Sequence, residues 1–258
     1  MADTELWRRS ATEMATLIAE GQVSSREVVD AHLERIDEVN GRLNAITVLR
    51  ADDARAEADA ADASEPSGPL HGVPVTIKEN VDQVGHATTQ GLAAFADAYP
   101  THDAVTVTRI TAAGAIPIGR TNMPELGLRV STDNSFRGLT RNPWHPDHTA
   151  GGSSGGEGAA IASGMSPLGI GNDIGGSIRN PALCSGVLGL KPGFGRVPRV
   201  SSVPPEDPGI SGQLMSVEGP LARTVADLRV AFEVLAGPSR RDPKVAPAPL
   251  TGPCVARR

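Results

Sequence analysis

Two serines sit inside glycine clusters, Ser153 in GGSSGGEG and Ser177 in NDIGGS. Glycine neighbours let backbone adopt crowded or left-handed geometry, so a carbonyl can come close to the main chain. In DIGGS the successive N–H groups of Ile174, Gly175, Gly176 and Ser177 can turn toward one point, forming an anion-binding nest beside a hydroxyl. Acyl transfer needs that pairing: a nucleophile next to donors that hold the developing oxyanion. GGSSGG by itself is equally well read as a flexible loop. Both serines together, the second following a predicted strand, favour chemistry.

A serine nucleophile needs a base. Ser153 formally fits the G-x-S-x-G elbow of α/β hydrolases, but that fold takes its histidine from later in the chain. The six histidines, His32, His71, His86, His102, His145 and His148, all precede it. HPDH, with His145 and His148, lies in a predicted loop with no further ligand near, so a solvated loop is favoured over a metal site. GIGNDIGG breaks the dinucleotide fingerprint at Ile174, and there is no P-loop. The basic residues are nearly all arginine, and the lysines are Lys78, Lys191 and Lys244. Lysine, unlike arginine, can lose its proton when buried. Lys78 closes the apolar run GVPVTIK, a setting that depresses an amine pKa. Ser153 can then relay a proton from Ser177 to Lys78, its hydroxyl donating to one partner and accepting from the other. The competing reading of Lys78 is a strand-end side chain that reaches for solvent or for Glu79. Glu157 reads as a helix-start charge, and Asp173 and Arg179 as residues that hold the DIGGS turn by hydrogen bonds.

The elements that must position these residues alternate. Ser10 with Glu13 and Ser24 with Glu27 fit capping boxes at two helix starts. The first helix carries Met14, Leu17 and Ile18 inward; the second carries Val28, Val29, Leu33 and Ile36, with His32 on or beside that face. A strand over Asn44–Leu49 and an Ala-rich helix over Asp52–Ala63 complete an N-terminal helical arm, residues 1–64. An α/β core over 65–238 follows, with strands at Val73–Lys78, AIPIG and Leu168–Gly171. Its predicted helices run from Asp103 to about Ala113, over Glu157–Ser163 and over Ser177–Cys184. Thr224–Ala236 is predicted as a last helix with Val225, Leu228, Phe232 and Leu235 on one face. Residues 239–258 form a Pro-rich tail or linker. Alternating strands and helices predict an α/β fold with a mixed, helix-covered sheet.

Composition removes several classes. Hydrophobic residues make up 39% of 258, enough for a sizeable core, and no apolar run reaches membrane-span length. A net charge of −6 with the signs interspersed argues against a nucleic-acid partner. Cys184 and Cys254 make no disulfide framework. MADTELWRRS shows no apolar signal segment, so a cytoplasmic enzyme is the expected class.

GVPVTIKEN, GGSSGGEGAAIASG and LGIGNDIGGSIRNPALCSGVLGLKP, in this order and spacing, resemble the amidase signature family, over roughly Leu70 to Ala236. Its members hydrolyse amides through a Ser–cis-Ser–Lys triad. The resemblance implies Ser177 as the acylated nucleophile, Ser153 as the cis-serine and Lys78 as the base. It also implies Ile174, Gly175, Gly176 and Ser177 as the oxyanion hole, and Ser154 as a supporting serine. Gly127 and Leu128 fall where the family's acyl pocket begins. A small-molecule amide is the implied substrate, with neither cofactor nor metal. Ala150 stands where proline is usual, and Asn172 where threonine often precedes the aspartate. Family members usually run far past residue 258, so the expectation is an N-terminal portion or truncated member whose sheet lacks further strands. The alternatives are a glutaminase subunit of a tRNA-dependent amidotransferase and a catalytically incomplete fragment, with a nucleotide-binding module last. A homodimer through the helical arm is left open.

Overall fold

The computed structural model describes residues 5–203 and 209–250; Cys254, the end of the Pro-rich tail and part of the segment before it lie outside these residues. Both capping boxes form. Ser10 and Glu13 open α1 (Ala11–Ala19), and Ser24 and Glu27 open α2 (Ser25–Leu43). In α1 Met14 is fully buried while Leu17 and Ile18 are half-buried. In α2 Val28, Val29, Leu33 and Ile36 are buried as their spacing requires, and His32 is buried among them. Asn44 ends α2 in the left-handed region, at φ 53°, a conformation asparagine tolerates. The strand expected from residue 44 therefore begins later, as β1 (Ile46–Leu49). Next come α3 (Ala51–Asp62), β2 (Pro74–Lys78), α4 (Val105–Ala112), β3 (Ile116–Thr121), α5 (Gly155–Ala162), β4 (Leu168–Asp173) and α6 (Arg179–Ser185). The chain continues through β5 (Leu188–Gly189), α7 (Ile210–Met215), β6 (Val217–Ala222) and α8 (Val225–Leu235).

The described strands form one open, mixed sheet in the order β1-β3-β2-β4-β6-β5. β2 runs parallel to both neighbours, β3 and β4, and is flanked on each side. β1, β5 and β6 pair antiparallel. Side chains alternate across a strand, and here the two faces differ in chemistry. Val75, Ile77, Leu168 and Ile170 join one apolar cluster with Val107 and Ile110 of α4 and Ala231 and Leu235 of α8. Thr76 and Lys78 face the other way, toward α5. Met14 and Val28 of the N-terminal helices belong to the first cluster, and Val29, Leu33, Ala54 and Ala58 to a second one with Ile116 and Ile118.

Several expectations need correction. β6 had no sequence signal, because VEGPLA carries Gly219 and Pro220, which read as a turn. β4 runs to Asp173 rather than Gly171, since β6 pairs Asn172 with Glu218 and Asp173 with Val217. The helix expected from Ser177 begins at Arg179, so Ser177 sits on the turn itself. On α8, Val225 is 65% exposed instead of facing inward. Asp227 takes the buried side because its carboxylate accepts from the Thr12 amide at 2.9 Å and the Thr12 hydroxyl at 3.0 Å. Among the described residues no helix is long and apolar enough to cross a membrane.

His32 gives this fold an acid limit. Burial lowers its pKa to about 4, and its Nδ1 lies 2.8 Å from the Val28 carbonyl. Below about pH 6.5 the unfolded chain binds a proton that the folded chain refuses. Stability should therefore fall from pH 6.5 to 4, by about 3 kcal/mol if His32 acts alone. Urea denaturation of wild type and His32→Leu across that window measures it. A fall of the same size in both proteins excludes His32 as the cause.

Candidate active site

Lys78 ends the central strand β2, so its stem is enclosed by β3, β4 and α5 and its side chain is fully buried. Nζ lies 2.7 Å from Ser153 Oγ and 2.8 Å from Asn172 Oδ1. Burial lowers the amine pKa to about 7, against a smaller opposing pull from the Glu157 carboxylate. The reading of Lys78 as reaching for solvent or Glu79 is overturned. Glu79 pairs instead with Arg137, at 3.0 Å. A neutral amine can donate to Asn172 Oδ1 and still offer its lone pair to the Ser153 hydroxyl.

Ser153 lies in the loop entering α5, and the Gly152–Ser153 peptide bond is cis. This loop is laced by three hydrogen bonds to the DIGGS turn and to the strand and helix on either side of it. The Ser154 amide donates to the Ser177 carbonyl (3.1 Å), Gly152 N to Asn180 Oδ1 (2.9 Å) and Ser154 Oγ to the Asn172 carbonyl (3.4 Å). Ser177 is half-buried, and its hydroxyl makes no hydrogen bond among the described residues. Ser153 and Ser177 line the same cavity of about 700 Å³, with Asn172, Ile174, Gly127 and Leu128. A Cβ on Gly127 would stand 3.3 Å from Ser153 Oγ, which places that glycine directly over the serine. The structure thus brings Lys78 and Ser153 into contact and sets Ser177 on the same cavity wall, with no direct bond between the two hydroxyls.

Asp173 shapes the turn. Its Oδ1 accepts from the Gly176 amide and from Arg179 Nη2, each at 2.9 Å. Its Oδ2 accepts from the Ile178 amide at 3.0 Å and from the amide and Nε of Arg179. Burial alone would raise the Asp173 pKa, but the Arg179 guanidinium and these amides outweigh it and hold it at about 2. Of the four amides expected to face an oxyanion, those of Ile174, Gly175 and Ser177 have no acceptor among the described residues, whereas that of Gly176 is occupied by Asp173.

Comparison with known proteins decides the family. A family model described as Amidase matches residues 27–256. The chain belongs to the amidase signature family. It is 48% identical to the indoleacetamide hydrolase of Bradyrhizobium diazoefficiens, over 96% of this chain and 48% of that protein. It is 41% identical to a glutamyl-tRNA(Gln) amidotransferase subunit of a Synechococcus strain, over 93% of this chain and 49% of that protein. Among solved structures, a bacterial aryl acylamidase of the amidase signature family superposes with a TM-score of 0.87 at 38% identity, covering 94% of this chain and 50% of that one. The chain spans about half the length of the curated relatives it matches.

Three residues around Lys78 have contacts that the sequence reading did not assign to them: Asn172, Asn80 and Glu157. Asn172 is the second acceptor of the lysine, and its Nδ2 donates to Asn80 Oδ1 at 2.7 Å, which fixes the amide's orientation. Glu157 does stand in the first turn of α5, but as a fully buried carboxyl and not a solvated charge. It accepts from Thr76 Oγ1 at 2.6 Å and Thr121 Oγ1 at 2.8 Å, and burial raises its pKa to about 7. The available signal was period-two spacing, since Thr76 and Lys78 share a strand face and Asn80 follows two residues on. His145 and His148 stack at 4.4 Å in an exposed loop. Asp173→Ala should cost at least about 2 kcal/mol by chemical denaturation, because it strips a buried charge from five donors. Unchanged stability would show that the turn holds itself without the carboxylate.

Proposed function

We propose that this chain carries the catalytic machinery of an amide hydrolase working through an acyl-serine intermediate. The observation behind the proposal is a buried, weakly basic Lys78 in contact with Ser153, beside a second serine on the same cavity wall. Ser177 Oγ attacks the amide carbonyl and passes its proton to Ser153, whose own hydroxyl proton moves to Lys78 Nζ. Substrate has to draw the two hydroxyls together for this relay, as catalytic hydrogen bonds commonly tighten only in the complex. The amides of Ile174, Gly175 and Ser177 are the free donors for the tetrahedral oxyanion, and Gly176 adds a fourth if it releases Asp173. Each such donor is typically worth ~3–4 kcal/mol of barrier. The proton then returns through Ser153 to the leaving nitrogen, and water hydrolyses the acyl-serine to the acid. Ser154 supports the relay by tying the two serine loops together, and Gly127 and Leu128 border the acyl group.

The family and the hydrolase relative favour carboxamides as substrates, with indole-3-acetamide a first compound to try. The Synechococcus relative supports a second reading, the glutaminase subunit of a tRNA-dependent amidotransferase. Glutamine hydrolysis that appears only with tRNA and a partner protein selects it. Steady turnover of simple amides by the protein alone selects the first. A cytoplasmic setting belongs to the same proposal.

A fluorophosphonate should label wild type on Ser177 and leave Ser177→Ala unlabelled; equal labelling of both refutes the nucleophile. Lys78→Ala should slow labelling by about 10²–10⁴-fold, the usual worth of a general base. Because Lys78 must be neutral to accept a proton, the second-order labelling rate should rise with pH and level off above about 7. A flat profile from pH 5.5 to 8.5 contradicts Lys78 as the base.

A further inference from the structure

The carboxyl beneath the lysine is built in too carefully to be a stray charge. Glu157 enters from α5 with 0% exposure and meets the sheet face that carries Thr76 and Lys78. Its two oxygens accept one hydroxyl each, from Thr76 on β2 and Thr121 on β3, and Thr121 is the register partner of Lys78. A Cβ on Gly169 of β4 would collide with the Glu157 carboxylate, so the strand is bare where the carboxyl lies. Two neutral hydroxyls do not offset the cost of burying a carboxylate, so burial raises its pKa to about 7 and a nearby cation is what keeps it charged. Arg120 alternates to the opposite face of β3 from Thr121 and spends its guanidinium on the carbonyls of Val81 and Glu79. Among the described residues Lys78, on the same sheet face, is the cation that acts most strongly on Glu157.

We propose that Glu157 is a positioning residue whose carboxylate keeps Lys78 basic enough to take the proton from Ser153. The inference rests on the amide-hydrolase reading given above. Burial by itself would weaken the amine, and a base far weaker than its task is a poor proton acceptor. A negative charge held between Thr76 and Thr121, on the sheet face that carries Lys78, restores part of that basicity. The other charged groups that act on Lys78 are Asp173 on β4, Glu218 on β6 and Arg199 on the preceding loop, and Arg120 acts on Glu157. Glu218 is itself a buried carboxyl, hydrogen-bonded to the Thr106 hydroxyl, and serves as the internal control.

Three lysines in the chain make the titration readable. Protein carrying ¹³Cε-lysine is titrated by NMR as wild type, Glu157→Gln and Glu218→Gln, and the labelling rate with a fluorophosphonate is followed over the same pH range. The expected result is that Glu157→Gln moves the Lys78 inflection to lower pH by about one unit, the usual effect of losing a close opposite charge. The labelling profile should move with it and its plateau should drop. A residue of purely structural role would lower the plateau and leave the inflection in place, and that outcome overturns the proposal. A larger shift in Glu218→Gln than in Glu157→Gln also overturns it. If Glu157→Gln does not fold, Thr121→Val decides: removing one donor from the carboxylate should move the inflection the same way by a smaller amount, and no movement rejects the role. A Lys78 inflection that moves in a protein that never labels sinks the hydrolase reading while leaving the Glu157–Lys78 coupling intact.

Discussion

An amine sealed inside the middle of a β-sheet is the constraint around which this structure is arranged. Lys78 cannot reach water, because β3 and β4 flank its strand and α5 lies across its face. A buried ammonium without partners is prohibitively costly, so the amine must be neutral or must be surrounded by acceptors. The protein does some of each. Asn172 Oδ1 accepts from it, the Ser153 hydroxyl lies within hydrogen-bond reach, the Glu157 carboxyl pulls the other way, and its affinity for a proton falls to near neutrality. The glycines of GGSSGG let the loop carrying Ser153 pack against its neighbours, since a Cβ on Gly152 would collide with the backbone of Arg129, Val130 and Ser131 and one on Gly156 with that of Asn122.

Family membership and site geometry speak to different questions. The family match and the aryl acylamidase superposition fix the architecture and its relatives. They do not say how protons travel in this chain, where asparagine occupies position 172 and donates to Asn80. The contact between an amide oxygen and Nζ is a property of these residues, and it ties the base to β4 as well as to the serine loop.

Much of this was legible in the sequence, for physical reasons that can be traced. Capping boxes and 3.6-residue apolar spacing identified α1 and α2, because both are local signals. Lys78, Ser153 and Ser177 stood out through residue type: a lysine closing an apolar strand, and serines where glycine frees the backbone. β6 stayed hidden since Gly219 and Pro220 mimic a turn and only pairing with β4 makes VEGPLA a strand. Glu157 was misread because burial is a tertiary property; nothing local distinguishes a first-turn glutamate facing water from one thrust against a sheet. Val225 and Asp227 exchanged places on α8 for the same kind of reason, a distant contact with Thr12 that helical periodicity cannot express.

The carboxylate of Asp173 grips the Gly176 amide and the Arg179 side chain together. One group thereby stiffens the bend and occupies one of its amide donors. Rigidity and donor capacity are in opposition there, since the Gly176 amide can turn to another acceptor only as that grip loosens. Such a loop would hold a modest partial charge readily and a full one only after yielding slightly, which gives it a graded rather than a fixed response to whatever bends over it.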